Sequence, residues 1–208
     1  IYRGTKFSFF LLYILSLPIL LNTEVILKLW LVQIPPDAVV FVRLALLCSM
    51  IDCLSNPIVT LVLANGNIKK YSIVVGTLNI LVFPICWILL KLNFAAYFVY
   101  VVTIVISISA LVARVIMISK ITNFSKKEFV TKVILRLIIV IIPSALLSVF
   151  CYVLISNNCH YLVTFFVSSF VVVIIILLSI YFIGLKKEER ELILSKFNKK
   201  TKVEKIGE

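Results

Sequence analysis

The chain has 208 residues, of which 62% are hydrophobic and 14% charged, with a formal net charge of +12. A soluble domain of this size needs a mostly polar skin, so the composition excludes a water-soluble core and makes lipid the solvent. The positive residues sit at the ends of apolar runs and do not form one basic face interleaved with aromatics, which points to anionic headgroups and not to nucleic acid.

A hydrocarbon layer about 30 Å thick takes about 20 helical residues at about 1.5 Å of rise each. Six apolar runs read as spans, near residues 7–22, 38–63, 71–90, 96–118, 133–155 and 162–184. Runs such as Val171 to Leu178 are apolar on both faces, which excludes the alternation of a membrane barrel. The expected fold is therefore an all-α integral membrane protein with six transmembrane helices.

The first span is interrupted by Asn22, Thr23 and Glu24 before an apolar piece resumes at Val25 to Val32. That piece suits the outer interface, with Trp30 as its anchor. Glu24 and Asp37 mark the outer loops and read as solvated.

The second span carries the most chemistry, with Arg43, Asp52, Ser55, Asn56 and Pro57 in an apolar helix. Asp52 lies about 21 Å beyond Ala38 at about 1.5 Å per residue, too deep for its short side chain to reach either surface. An ionisable group at that depth usually faces a cavity or a partner. Asn56 is one turn further on and shares its face, and Pro57 leaves the carbonyl of Cys53 without its usual donor. The set could hold a proton or a small cation. Equally, Asp52 could be hydrogen-bonded glue between helices, with Asn79 of the third span as one donor. Arg43 is shallower, and its stem reaches the outer interface. Turned inward, its planar fork would suit a diphosphate oxyanion. Arg43 and Asp52 point to opposite sides of a straight helix, so they do not pair.

Asn65-Gly66 favours a tight reversal between spans two and three, with Lys69 and Lys70 holding it at the surface. Between spans four and five, Ser125-Lys126-Lys127-Glu128 could open a helix entering span five, although a solvated amphipathic connector is the preferred reading. Pro18, Pro57, Pro84 and Pro143 fall inside spans, where kinks are expected. Beyond Gly184 the sequence turns charged, and Leu192, Ile193 and Phe197 form an apolar strip suited to a short amphipathic helix on the cytoplasmic leaflet, with disorder expected after Asn198.

All of the 21 Lys and Arg except Lys28, Lys91 and Arg43 fall on one set of connections. By the positive-inside rule that side, with both ends of the segment, is cytoplasmic. Arg114 and Arg136 read as anchors there. Cys48, Cys53, Cys86, Cys151 and Cys159 show no metal-ligand spacing and read as small hydrophobes. His160 is alone in an outer loop, and no catalytic or cofactor motif is present. The start at Ile1 and Tyr2, without Met, is the start expected of a piece whose missing part is N-terminal.

The stretch "LPILLNTEVILKLWL", the following "PP", and "FVRLALLCSMIDCLSNPIVTLVLANGNIKKYSIVVG" resemble the C-terminal half of bacterial polysaccharide or O-antigen flippases of the multidrug/oligosaccharidyl-lipid/polysaccharide exporter superfamily. The turn with Ala64, Gly66, Ile68, Lys69 and Tyr71 carries most of the likeness, together with the basic connector before span five and the closing "GLKKEER". The resemblance implies one six-helix lobe of a two-lobed exporter, packed against a missing N-terminal six-helix lobe in a bacterial inner membrane. It also implies alternating access for a polyprenyl-diphosphate-linked oligosaccharide, without catalysis. Arg43 then becomes the candidate substrate cation. Asp52 and Asn56 become candidates for proton or sodium coupling or for helix contact, beside Asn79. A multidrug or cation antiporter would be expected to place acidic residues in several spans, whereas Asp52 is the single intramembrane carboxylate. A membrane-embedded polymerase or transferase would need a large outer loop, and the outer loops are short.

Overall fold

The computed structural model describes residues 2–64, 68–121, 124–156, 161–185 and 189. The described part is all-helical. It consists of α1 (Tyr2–Leu21), α2 (Thr23–Trp30), α3 (Ala38–Ala64), α4 (Ile68–Lys91), α5 (Phe98–Ile121), α6 (Lys126–Phe129), α7 (Leu135–Ser156) and α8 (Tyr161–Ser179). A π-helical turn, Val130–Ile134, joins α6 to α7, and a second, Ile180–Gly184, extends α8. Six of these helices or helical runs are long and apolar enough to cross a membrane, which makes this a multi-pass membrane protein. The Asn65-Gly66 turn, Cys159, His160 and the tail strip at Leu192, Ile193 and Phe197 lie outside the described residues.

The helices stand roughly in a row. α4 packs on α5, α5 on α3, and α3 on α1, while α1 lies against α8 and α8 pairs with α7. α1 is consequently the most buried span and α4 the least. Phe9, Phe10, Tyr13 and Leu17 of α1 enter the core with Ile58 and Val62 of α3, Val140 of α7, and Val172 and Ile176 of α8. Lipid tails are as apolar as these side chains, so hydrogen bonds and close packing must set the helix pairing. Tyr13 and Ser144 hydroxyls meet at 2.8 Å, and buried Asn22 donates to Ser168 at 3.1 Å and to the Pro18 carbonyl at 3.0 Å.

The expected interruption after the first span is present. Helix α2 follows Asn22 directly, buries Thr23 and Leu27, and leaves Trp30 81% exposed, as an interfacial anchor would be. Asn93 ends α4 at φ 61°, with Phe94 N donating to the Leu89 carbonyl at 3.1 Å and Asn93 N to Leu90 at 3.1 Å, a Schellman closure. Lys91 lies over the Trp87 ring at 4.9 Å before this turn, and after it Phe98 packs on Phe94 and Tyr97. The opposite end of the bundle is basic and gathers the start of α1, the start of α6 and the end of α8. There Tyr2 stacks near Phe124 and Phe129, and Lys6 reaches the Gly184 carbonyl at 3.2 Å.

In the connector before span five, Ser125 to Glu128 are exposed, as the preferred solvated amphipathic reading expects, and the alternative to it, a helix start, is present too. Ser125 Oγ accepts from Glu128 N at 3.3 Å, capping a helix that continues through the π turn into α7. Phe129 is buried against α1 instead of solvated. All four intramembrane prolines lie within continuous helices.

Candidate functional site

A polar cleft of about 300 Å³ opens between α3, α4 and α5. Helix α3 presents Asp52, Ser55, Asn56 and Val59, spaced to share one face. Helix α5 answers with Thr103, Ser107, Ala110 and Arg114, again one stripe at helical spacing. Asn79 enters from α4. The small residues Ser55, Ser107 and Ala110 let α3 and α5 approach closely, and Ala110 is almost fully buried in their contact.

Arg114 closes the basic end of the cleft. Its Nη1 donates to Ser55 Oγ at 2.7 Å and its Nε to the Tyr71 hydroxyl at 3.3 Å, so the guanidinium is shared by α3 and α4. At about 1.5 Å per residue it stands about 10 Å inside the end of α5. A surface anchor would extend outward into water, whereas this side chain turns inward onto two hydroxyls. The anchor reading of Arg114 is therefore corrected. Behind the cleft, one turn before Asp52 on α3, the Cys48 thiol lies 3.8 Å from Asp52 Oδ2 and 3.9 Å from Ser107 Oγ. Asp52 and Asn56 are exposed on the cleft side of α3.

Asp52, Asn56 and Asn79, singled out in the sequence, meet in this one cleft. Arg43 is not among its lining residues. Its Nε donates to the Leu20 carbonyl at 3.2 Å, one residue before α1 ends, where a cation complements the helix dipole. Nearby, the exposed pair Glu24 and Lys28 meets at 2.6 Å along α2. Lys28 first, and Arg43 more weakly, hold the Glu24 carboxyl below its ordinary range. Arg43 thus sits beside the end of α1 and the start of α2, apart from the cleft.

No family model, curated protein or solved structure matches the chain. The chemistry of the cleft is accordingly read from its own groups: a bidentate-capable cation, one carboxylate, two carboxamides and several hydroxyls, all at membrane depth. Such a surface replaces water around a polar or anionic guest and offers no paired acid and base.

Proposed function

We propose that this chain is a membrane lobe of a transporter that moves a polyprenyl-diphosphate-linked oligosaccharide across a bacterial inner membrane by alternating access. The observation that carries the reading is the cleft with Arg114 at its basic end. A saccharide head bearing a diphosphate cannot cross hydrocarbon unaided, because its hydroxyls and phosphate oxygens would lose water without replacement. Carboxamides and hydroxyls from Asn56, Asn79, Thr103 and Ser107 supply sugar-like hydrogen bonding, and Arg114 supplies an oxyanion partner. The role first given to Arg43 passes to Arg114. Opposed by a second six-helix lobe, the cleft becomes a groove whose accessible side switches as the lobes rock. The positive-inside rule places its Arg114 end toward the cytoplasm, where such a lipid is assembled.

The test is export of surface glycan by cells carrying the full-length protein. Arg114→Ala should lower export about 10- to 100-fold, the weight of one or two charge-assisted hydrogen bonds, while Arg43→Ala retains it. Loss in Arg43→Ala with full export in Arg114→Ala, at equal membrane levels, would overturn the assignment.

A second reading, cation-coupled efflux, draws on Asp52 and Asn56 beside the hydroxyls of Thr103 and Ser107. It requires that Asp52→Asn abolish any dependence of transport on pH or sodium. The Arg114 cation in the same cleft favours the anionic guest.

A further inference from the structure

The polar cleft holds two opposite charges that do not answer one another. Arg114, the one cation among the lining residues, is engaged by the Ser55 and Tyr71 hydroxyls at the basic end. Asp52 lies three residues before Ser55 on α3, about 4.5 Å of helix rise further from that end, and is exposed to the cleft. Among the described residues its one hydrogen-bond partner is the Cys48 thiol at 3.8 Å, a weak donor, and the side chains of Asn56 and Asn79 have none. The carboxylate therefore keeps most of its acceptor capacity for a guest. A carboxylate only accepts, so hydroxyl or N–H donors are drawn to it, whereas a second anion placed against it meets a like charge where little water is left to screen the two.

We infer that Asp52 is a specificity-determining residue of the cleft: it admits a neutral sugar next to the diphosphate, whose hydroxyls donate to it, and rejects a uronic acid, whose carboxylate would face it. The inference rests on the diphosphate reading of Arg114 given above and adds a selectivity that reading does not require. A cleft of about 300 Å³ is at the small end of ligand sites, so with the diphosphate at Arg114 the sugar joined to it is the part of the guest that meets Asp52. Discrimination of this kind comes from a repulsive element and not from tighter contacts to the accepted guest.

The probes are polyprenyl-diphosphate-linked glucose and the same lipid carrying glucuronic acid, which differ only at C6. Both are titrated onto full-length protein in phosphatidylcholine nanodiscs, with the sugar-free polyprenyl diphosphate alongside. Wild type should bind the glucosyl lipid about tenfold more tightly than the glucuronyl lipid, the weight of a like-charge contact in a partly desolvated site. Asp52→Asn should lower glucosyl binding about threefold, the gap between a charged and a neutral acceptor, and raise glucuronyl binding until the two lipids are alike. Asp52→Glu should keep the preference. Equal binding of the two sugars by wild type would overturn the inference, as would an unchanged preference in folded Asp52→Asn; if Arg114→Ala then still weakens all three lipids, the diphosphate reading survives without the selectivity. If Arg114→Ala binds all three as wild type does, that reading falls and the inference with it. The wild-type preference decides the matter even where Asp52→Asn does not fold.

Discussion

Lys6 and Arg114 are both cations near helix ends, and both are drawn inward by partners far away in sequence. Lys6 is 2% exposed, pairs with Glu189 and donates to the Gly184 carbonyl, while Arg3 approaches Glu189 from outside at 3.8 Å. Removing one member of a buried ion pair leaves the other uncompensated, so Lys6→Met or Glu189→Gln should destabilise the protein by about 3 to 5 kcal/mol. Replacing both by Met should cost much less, as thermal unfolding of the detergent-solubilised protein will report. Hydropathy could not foresee this pair, because nothing local in the sequence links Lys6 to a carboxylate at the other end of the chain. Arg114 had a visible signal. Thr103, Ser107, Ala110 and Arg114 form a small and polar stripe on an otherwise apolar helix, and following that stripe would have separated Arg114 from the true anchors. Glu24 is exposed, as its solvated reading expects, and pairs with Lys28 one turn on. Because Glu24 is depressed in the folded state, its pairing stabilises α2 above the normal carboxylate range of about 4 and is lost as pH falls through the lower folded value. A spin label at Leu29→Cys should therefore gain mobility on acidification below that range, and Glu24→Gln should already be mobile at neutral pH.

At the scale of elements, the span layout was legible because length and hydropathy alone decide it, and the described helices agree with the expected runs to within a few residues at most ends. The π turns were not legible. They widen the helix by one residue, shown by Leu185 N donating to the Ile180 carbonyl at 3.0 Å, and a continuous apolar run has no periodicity in which such a slip can register. Ile180–Gly184 seats α1: a Cβ at Gly184 would lie 2.9 Å from Phe10 Cζ and 3.3 Å from Val140 Cγ2. Gly184→Ala should cost about 1 to 3 kcal/mol through overpacking, and Phe10→Leu in the same chain should restore most of it. Unfolding midpoints of the single and double variants measure both effects.

For the whole molecule, contacts of Lys6 with Gly184 and of Tyr2 with Ser125 place the start of α1, the start of α6 and the end of α8 at one face of the bundle. The threading that follows predicts that cysteines introduced at Asn67 and His160 react with impermeant thiol reagents from opposite sides of the membrane. Common-side labelling would break the six-span path. The sequence made the number of crossings readable, since hydropathy acts on each segment independently. Neighbour relations were hidden, because every span is greasy all round and no face announces its partner; only the polar stripes of α3 and α5 did so.

The row places α5 between two helices that precede it in the chain, and this has a bearing on biogenesis. As the polypeptide leaves the ribosome, α3 and α4 enter the bilayer first and scarcely touch one another. Asp52, Asn56 and Asn79 then wait in hydrocarbon until α5 slides between their helices with its own hydroxyls and Arg114. The nascent chain therefore passes through a stage with exposed polar groups at depth, the stage at which an insertase or a membrane chaperone would have most to hold.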